Sequence, residues 1–123
     1  MRSDRYLTKP EQYETVQTHG RSFADGPVLM KSVQNGLQSS RYGFSVGRRV
    51  GKAVTRNRVK RRLREVMRRK TLAPGWDIVF VARASAAESG FATIQRSIDN
   101  LLARAGLLAA DDVGTAHDAV DLG

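Results

Sequence analysis

RYGFSVGRRVGKAVTRNRVKRRLREVMRRK, residues 41–70, holds thirteen Lys/Arg against one carboxylate, Glu65. The remainder of the chain holds eight Lys/Arg against eleven Asp/Glu, so a segment of net +12 is set against −3 and the whole carries +9. Charge this concentrated, if folded onto one surface, makes a footprint for a polyanion, and nucleic-acid phosphate is the natural candidate.

The pattern within the stretch supplies the folded surface. Val59, Leu63, Val66 and Met67 are spaced four, three and one apart, which draws a narrow apolar stripe along a helix. That spacing predicts a helix docked by the stripe. Asn57, Arg61, Arg64 and Arg68 then form an outward row, with Arg56 and Lys60 beside it and Arg58, Arg62 and Arg69 on the other flank. A merely solvated helix face would mix signs in i,i+4 pairs, and only Glu65 is available for that. With Thr55 as N-cap, Arg56 and Arg58 fall in the first turn, where the helix dipole disfavours cations by roughly 0.3–1 kcal/mol each. An anion bound at the free N–H groups of that end would offset the penalty. A start near Lys52 would remove the conflict instead.

Upstream, Thr8-Lys9-Pro10-Glu11 reads as a capping box, with Thr8 as N-cap and Glu11 reaching back. A helix follows through Tyr13 and Val16 to His19, ended by Gly20 as a C′ residue. Residues 21–24 and 27–33 read as strands joined at Asp25-Gly26, and Asn35-Gly36 turns the chain again. In residues 41–47, Tyr42, Phe44 and Val46 alternate with Gly43 and Ser45, so one face is core and the other shallow. Downstream, Pro74-Gly75 is a turn and residues 76–82 are a near-continuous apolar run, expected of an interior strand. A last helix opens between Ser85 and Ser89 and carries a wide stripe of Phe91, Ile94, Ile98, Leu101, Leu102 and Ala105. Gly106 and then Leu107 suit a Schellman ending.

The order is αβββαβα, and short connections imply an α+β domain, a two-layer α/β sandwich with an open sheet. Residues 1–7 are expected to be a flexible arm, 8–108 a single domain, and 109–123, with Asp111, Asp112, Asp118 and Asp121, a disordered acidic tail. No run approaches a membrane span, residues 1–20 have no apolar core of a signal peptide, and no cysteine is present. A cytoplasmic location and no membrane partner are the simplest expectations. The chemistry points the same way: with no cysteine nucleophile, no histidine paired with carboxylates and no acid cluster, we expect no catalytic residue and no protein metal site. What needs explaining is binding.

GKAVTRNRVKRRLRE, preceded by RYGFSVGRRV, resembles the arginine-asparagine-arginine signature of the protein subunit of bacterial ribonuclease P. The resemblance extends from Tyr13 and Gly20 before it to GWDIVFVAR and the amphipathic helix after it, roughly residues 8–108. It implies the same element order, with the basic helix making a left-handed crossover between parallel strands. It also implies a function: removal of the 5′ leader from precursor tRNA by an endoribonuclease whose RNA subunit catalyses with bound magnesium, one protein assisting each RNA. The protein alone would bind no cofactor. A ribosomal or other structural RNA-binding protein, lacking a leader groove, is the alternative.

Matched to the signature, Arg56, Asn57, Arg58, Lys60, Arg61 and Arg64 would contact the RNA subunit, with Arg48, Arg49, Lys52, Arg62 and Arg68 extending the surface. Arginine suits this because its planar fork pairs two phosphate oxygens and stacks on bases. The resemblance places the single-stranded leader in a groove between the first helix and the sheet. Tyr13 falls on the matching position and offers a stacking face, while Gln17 stands where the family often has a second aromatic. Lys31 and Ser45 join them by strand alternation.

Overall fold

A computed structural model describes residues 5–109; the expectations for residues 1–4 and 110–123 lie outside the described residues. The elements are α1 (Pro10–His19), β1 (Arg21–Asp25), β2 (Val28–Gln34), β3 (Arg41–Ser45), α2 (Ala53–Arg68), β4 (Trp76–Ala82) and α3 (Phe91–Ala105). Short 3-10 turns at Arg48–Val50 and Ala84–Glu88 precede α2 and α3. The order is the expected αβββαβα.

The four strands form one mixed sheet in the order β1-β2-β4-β3. β4 is interior, antiparallel to β2 and parallel to β3, so α2 is the crossover between a parallel pair. The apolar run of residues 76–82 belongs there because both of its faces are covered: Ile78, Phe80 and Ala82 point to one side and Val79 to the other, all buried. On the first side, Val28, Met30, Tyr42 and Phe44 meet Val59, Leu63, Val66 and Met67 of α2 and Ile94, Ile98, Leu101 and Leu102 of α3. The α2 stripe is thus core at all four of its expected positions. Gly106, at a left-handed φ of 70°, ends α3, and Leu107 turns back into the core with its N–H on the Leu102 carbonyl.

The other sheet face is crossed by α1, whose Val16 packs with Leu7 on Val79. Tyr6 and Leu7, expected in a flexible arm, are part of the fold: Leu7 joins this layer, and Tyr6 packs on the opposite sheet face against Tyr42. Tyr6 bridges to Tyr42, the Leu7 N–H donates to the Tyr42 carbonyl at 3.0 Å, and Leu7 is only 4% exposed. An apolar side chain beside an uncovered sheet edge has more to gain from docking than from solvent.

Three local expectations are corrected. The N-cap of α1 is Lys9, not Thr8, because Pro10 at the first helical position puts the cap one residue before it. The third helical residue is then Gln12, whose Oε1 accepts from the N–H groups of Thr8 and Lys9 at 2.8 and 3.0 Å, the task expected of Glu11. Gly20 is extended rather than left-handed; it is required because a Cβ there would stand 2.4 Å from the Val16 carbonyl oxygen and 3.1–3.2 Å from the Ser32 backbone. Finally, α3 starts at Phe91 with Gly90 as N-cap, after a separate 3-10 turn, and of the two starts open for α2 the one near Lys52 is adopted, with Lys52 as N-cap and Ala53 first. No described helix is long and apolar enough to cross a membrane.

Candidate nucleic-acid interface

With Lys52 as its N-cap, the first turn of α2 holds Ala53, Val54 and Thr55 and no charged side chain. Arg56 is the fourth helical residue and Arg58 the sixth, both past the first three N–H groups, so the expected dipole penalty is reduced. The free N–H groups of Ala53–Thr55 still open toward the cations that precede them. Arg48 and Arg49, exposed on the 3-10 turn that buries Val50, and exposed Lys52 carry the basic surface around this end.

The thirteen cations of residues 41–70 divide by what they touch. Arg41 grips the buried Asp77 through Nε to Oδ1 at 2.9 Å and Nη2 to Oδ2 at 2.7 Å, and Asn35 donates to the same Oδ1 at 2.9 Å. Hydrogen bonding to Asp77 pushes the Arg41 guanidinium above its ordinary range. Arg58 donates to the Ala87 carbonyl at 3.3 Å and Arg62 to the Ser89 carbonyl at 2.7 Å, which ties α2 to the segment that leads into α3. Arg68 and Arg69 share Glu65, and Lys70 reaches Asp99 of α3.

Seven remain with no hydrogen bond or ion pair among the described residues: Arg48, Arg49, Lys52, Arg56, Lys60, Arg61 and Arg64. Asn57, Arg61, Arg64 and Arg68 are all exposed, as the outward row requires, while Arg56 and Lys60 are half-buried at their stems. The sequence-based site therefore comes together as one surface, but Arg58 and Arg62 also hold the fold. Nothing in the spacing within α2 could have shown this, because their acceptors are carbonyls 29 and 27 residues away. Val54 is 75% exposed among these cations and lies off the apolar stripe, where the helical spacing carries no signal for it.

On the opposite sheet face, strand register places Lys31, Val79 and Gly43 in one row and Leu29, Val81 and Ser45 in the next. Tyr13 of α1 lies over Gly43. A Cβ at Gly43 would come 2.2 Å from the Tyr13 hydroxyl oxygen and 2.6 Å from its Cζ, so only glycine admits the ring here. The hydroxyl donates to the Leu7 carbonyl at 3.3 Å and meets the backbone of Phe44, and burial raises its pKa. Gln17, one turn along α1, is exposed. Tyr13, Lys31 and Ser45 thus share one half-open face, each half-buried, with Gln17 at its rim. Among the described residues no cluster of three or more His, Cys, Asp or Glu could hold a metal ion.

The family model described as Ribonuclease P matches residues 1–106. The chain is 43% identical over 116 residues to the ribonuclease P protein component of Dehalococcoides mccartyi strain CBDB1, covering 94% of this chain and 97% of that one. It is 44% identical over 111 residues to that of Roseiflexus sp. strain RS-1, covering 88% and 91%. Among solved structures, the RNase P protein from Thermotoga maritima superposes with a TM-score of 0.73 at 31% identity, covering 80% of this chain and 96% of that one. A Staphylococcus aureus RNase P protein mutant with defective mRNA degradation activity superposes with a TM-score of 0.81 at 26% identity, covering 88% and 93%.

Proposed function

This chain belongs to the ribonuclease P protein family, a component of the endoribonuclease of tRNA 5′ maturation, and we propose how it divides its surface between two RNAs. The face of α2 with its preceding turn binds the catalytic RNA subunit, and the face under α1 receives the 5′ leader of precursor tRNA. Family membership sets aside the ribosomal-type alternative, which shares the charge and the compactness.

The observation that carries the proposal is the seven cations without a hydrogen bond or ion pair among the described residues, four on the side of α2 away from its core stripe and three on the turn and cap that lead into it. Leaving like charges adjacent is unfavourable by a few tenths of a kcal/mol per pair on a helix, and phosphate reverses the sign. Arg61 and Arg64 reach outward, Arg56 and Lys60 close the side, and Arg48, Arg49 and Lys52 wrap the N-terminal end. Val54 offers an apolar contact for a ribose or base.

For the leader, Tyr13 supplies a ring face held by two backbone contacts, Lys31 a cation on the same sheet face, and Ser45 a short floor. Gln17 offers an amide rather than a ring, so recognition here rests on one aromatic. Catalysis belongs to the RNA subunit with its magnesium, and the protein's part is to neutralise phosphate and to hold the leader.

Addition of the protein to a bacterial ribonuclease P RNA and precursor tRNA at low magnesium tests this reading. Accurate 5′ cleavage, absent without the protein, is the expected result; no stimulation would overturn it.

A further inference from the structure

A second basic surface lies on the far flank of the molecule, and we propose that Arg21, Arg96 and Arg104 bind an RNA backbone segment separate from the one on α2. β1 is the sheet edge opposite β3, with two strands between them. α3 runs along β1: Arg104 donates to the Ala24 carbonyl at 2.9 Å, and Asn100 donates to Asp25 at 3.3 Å. Arg96, Asn100 and Arg104 are i, i+4 and i+8, all exposed, a row about 12 Å long. The buried seam of Ile98, Leu101 and Leu102 separates that row from the cations of α2.

Two guanidiniums converge on one ring. Arg21 Cζ stands 5.2 Å and Arg104 Cζ 5.9 Å from the centroid of half-buried Phe23. The ring contact holds Arg21 without using its fork, which stays free to pair phosphate oxygens, while Arg104 spends Nη1 on the Ala24 carbonyl and keeps its other nitrogens for a phosphate. Their mutual repulsion is opposed among the described residues by Asp25 alone, 4.0 Å from Arg104. Asp99, the carboxylate nearest Arg96 in sequence, is drawn to the other side of α3 by Lys70. A face shaped for stability alone would place acids at i±4 of these arginines; the chain has Ala92 and Asn100 there. The partner is RNA phosphate, from either the RNA subunit or the tRNA, and the inference rests on the chain being an RNA binder.

The test titrates bacterial ribonuclease P RNA and precursor tRNA separately with wild type and with Arg21→Gln/Arg96→Gln, across about 50–200 mM salt. Neither side chain makes a hydrogen bond among the described residues, and Arg96→Glu alone is a second, exposed probe of the same surface. The expected result is a log–log salt slope shallower by about 1.4–1.8 and an affinity lower by roughly tenfold near physiological salt, two phosphate contacts' worth. Loss with the RNA subunit assigns the ridge to it; loss with precursor tRNA alone assigns it to the substrate. Unchanged slopes with both RNAs, where Arg61→Ala/Arg64→Ala does weaken binding, would overturn the inference. Unchanged slopes accompanied by self-association of the variant would likewise overturn it and leave these arginines as guards of an exposed sheet edge. Wild-type protein that binds neither RNA would overturn the functional reading first.

Discussion

Arg41 and Asp77 are directly opposed in the parallel pairing of β3 with β4, and the guanidinium holds the carboxylate by two hydrogen bonds of 2.9 and 2.7 Å. The first cation of the basic stretch is thereby a structural one. It fastens the edge strand that leads into α2 to the centre of the sheet.

Arg41→Ala should therefore destabilise the fold by about 2–3 kcal/mol, less than a fully buried pair because the arginine is 22% exposed. Its RNA affinity, measured where the variant is still folded, should stay near wild type. The raised guanidinium pKa favours the folded state at every pH below the ordinary arginine range, so removing Arg41 should leave the pH dependence of stability near neutrality unchanged. Chemical denaturation and a double-mutant cycle with Asp77→Asn measure the coupling; additive losses would refute it.

Four side chains of α2 should separate function from fold. Arg61→Ala or Arg64→Ala should weaken binding to the RNA subunit and flatten its salt dependence by about 0.7–0.9 per contact, with the melting temperature unchanged. Arg62→Ala should instead lower the melting temperature, by the roughly 1 kcal/mol of a half-buried charged hydrogen bond to the Ser89 carbonyl. Leu63→Ala, in the buried stripe, should cost on the order of 2–5 kcal/mol. Equal melting losses in all four would erase the division.

Tyr13→Ala should reduce affinity for precursor tRNA by about 1 kcal/mol, the low end of the worth of one stacked base, and mature tRNA should hardly respond. Tyr13→Phe, which keeps the ring and loses the hydrogen bond to Leu7, should retain most of that discrimination. Gly43→Ala should mimic Tyr13→Ala at the groove while also costing about 1–3 kcal/mol of stability, because the new methyl displaces the ring. Parallel losses for both tRNAs in fluorescence binding would place the leader elsewhere.

Burial, with Tyr6 beside it, pushes the Tyr42 hydroxyl up to about 12 from its ordinary 10. Folding thus favours the neutral phenol, a contribution fully present below pH 10 and lost as pH rises toward 12. Stability should fall over that window by on the order of 2 kcal/mol more in wild type than in Tyr42→Phe. Denaturation midpoints at about pH 9 and 11 check this; identical pH profiles for the two proteins would refute it.

Sequence alone determined the element order, the four-residue core stripe of α2, the interior position of β4 and the outward row of Asn57, Arg61, Arg64 and Arg68. These follow from period and composition, which are local and need no knowledge of the fold. The position of Tyr13 on a face shared with Gly43 and Ser45 was half legible, since strand alternation showed the shallow face and the resemblance supplied the helix above it. The starts of α1 and α3 lie one to a few residues beyond the cap chemistry of Thr8 and Ser85, because Pro10 sets the first and a separate 3-10 turn takes up Ser85, while α2 adopts the start near Lys52 rather than the Thr55 cap. Tertiary structure alone decided which cations are free. Arg41, Arg58, Arg62 and Lys70 look no different in sequence from Arg61 and Arg64; their acceptors at Asp77, Ala87, Ser89 and Asp99 are 27 or more residues distant and meet them only when the sheet and the α2–α3 layer close. The convergence of Arg21 and Arg104 on Phe23 is of the same kind, a pairing across more than eighty residues that no window of sequence contains.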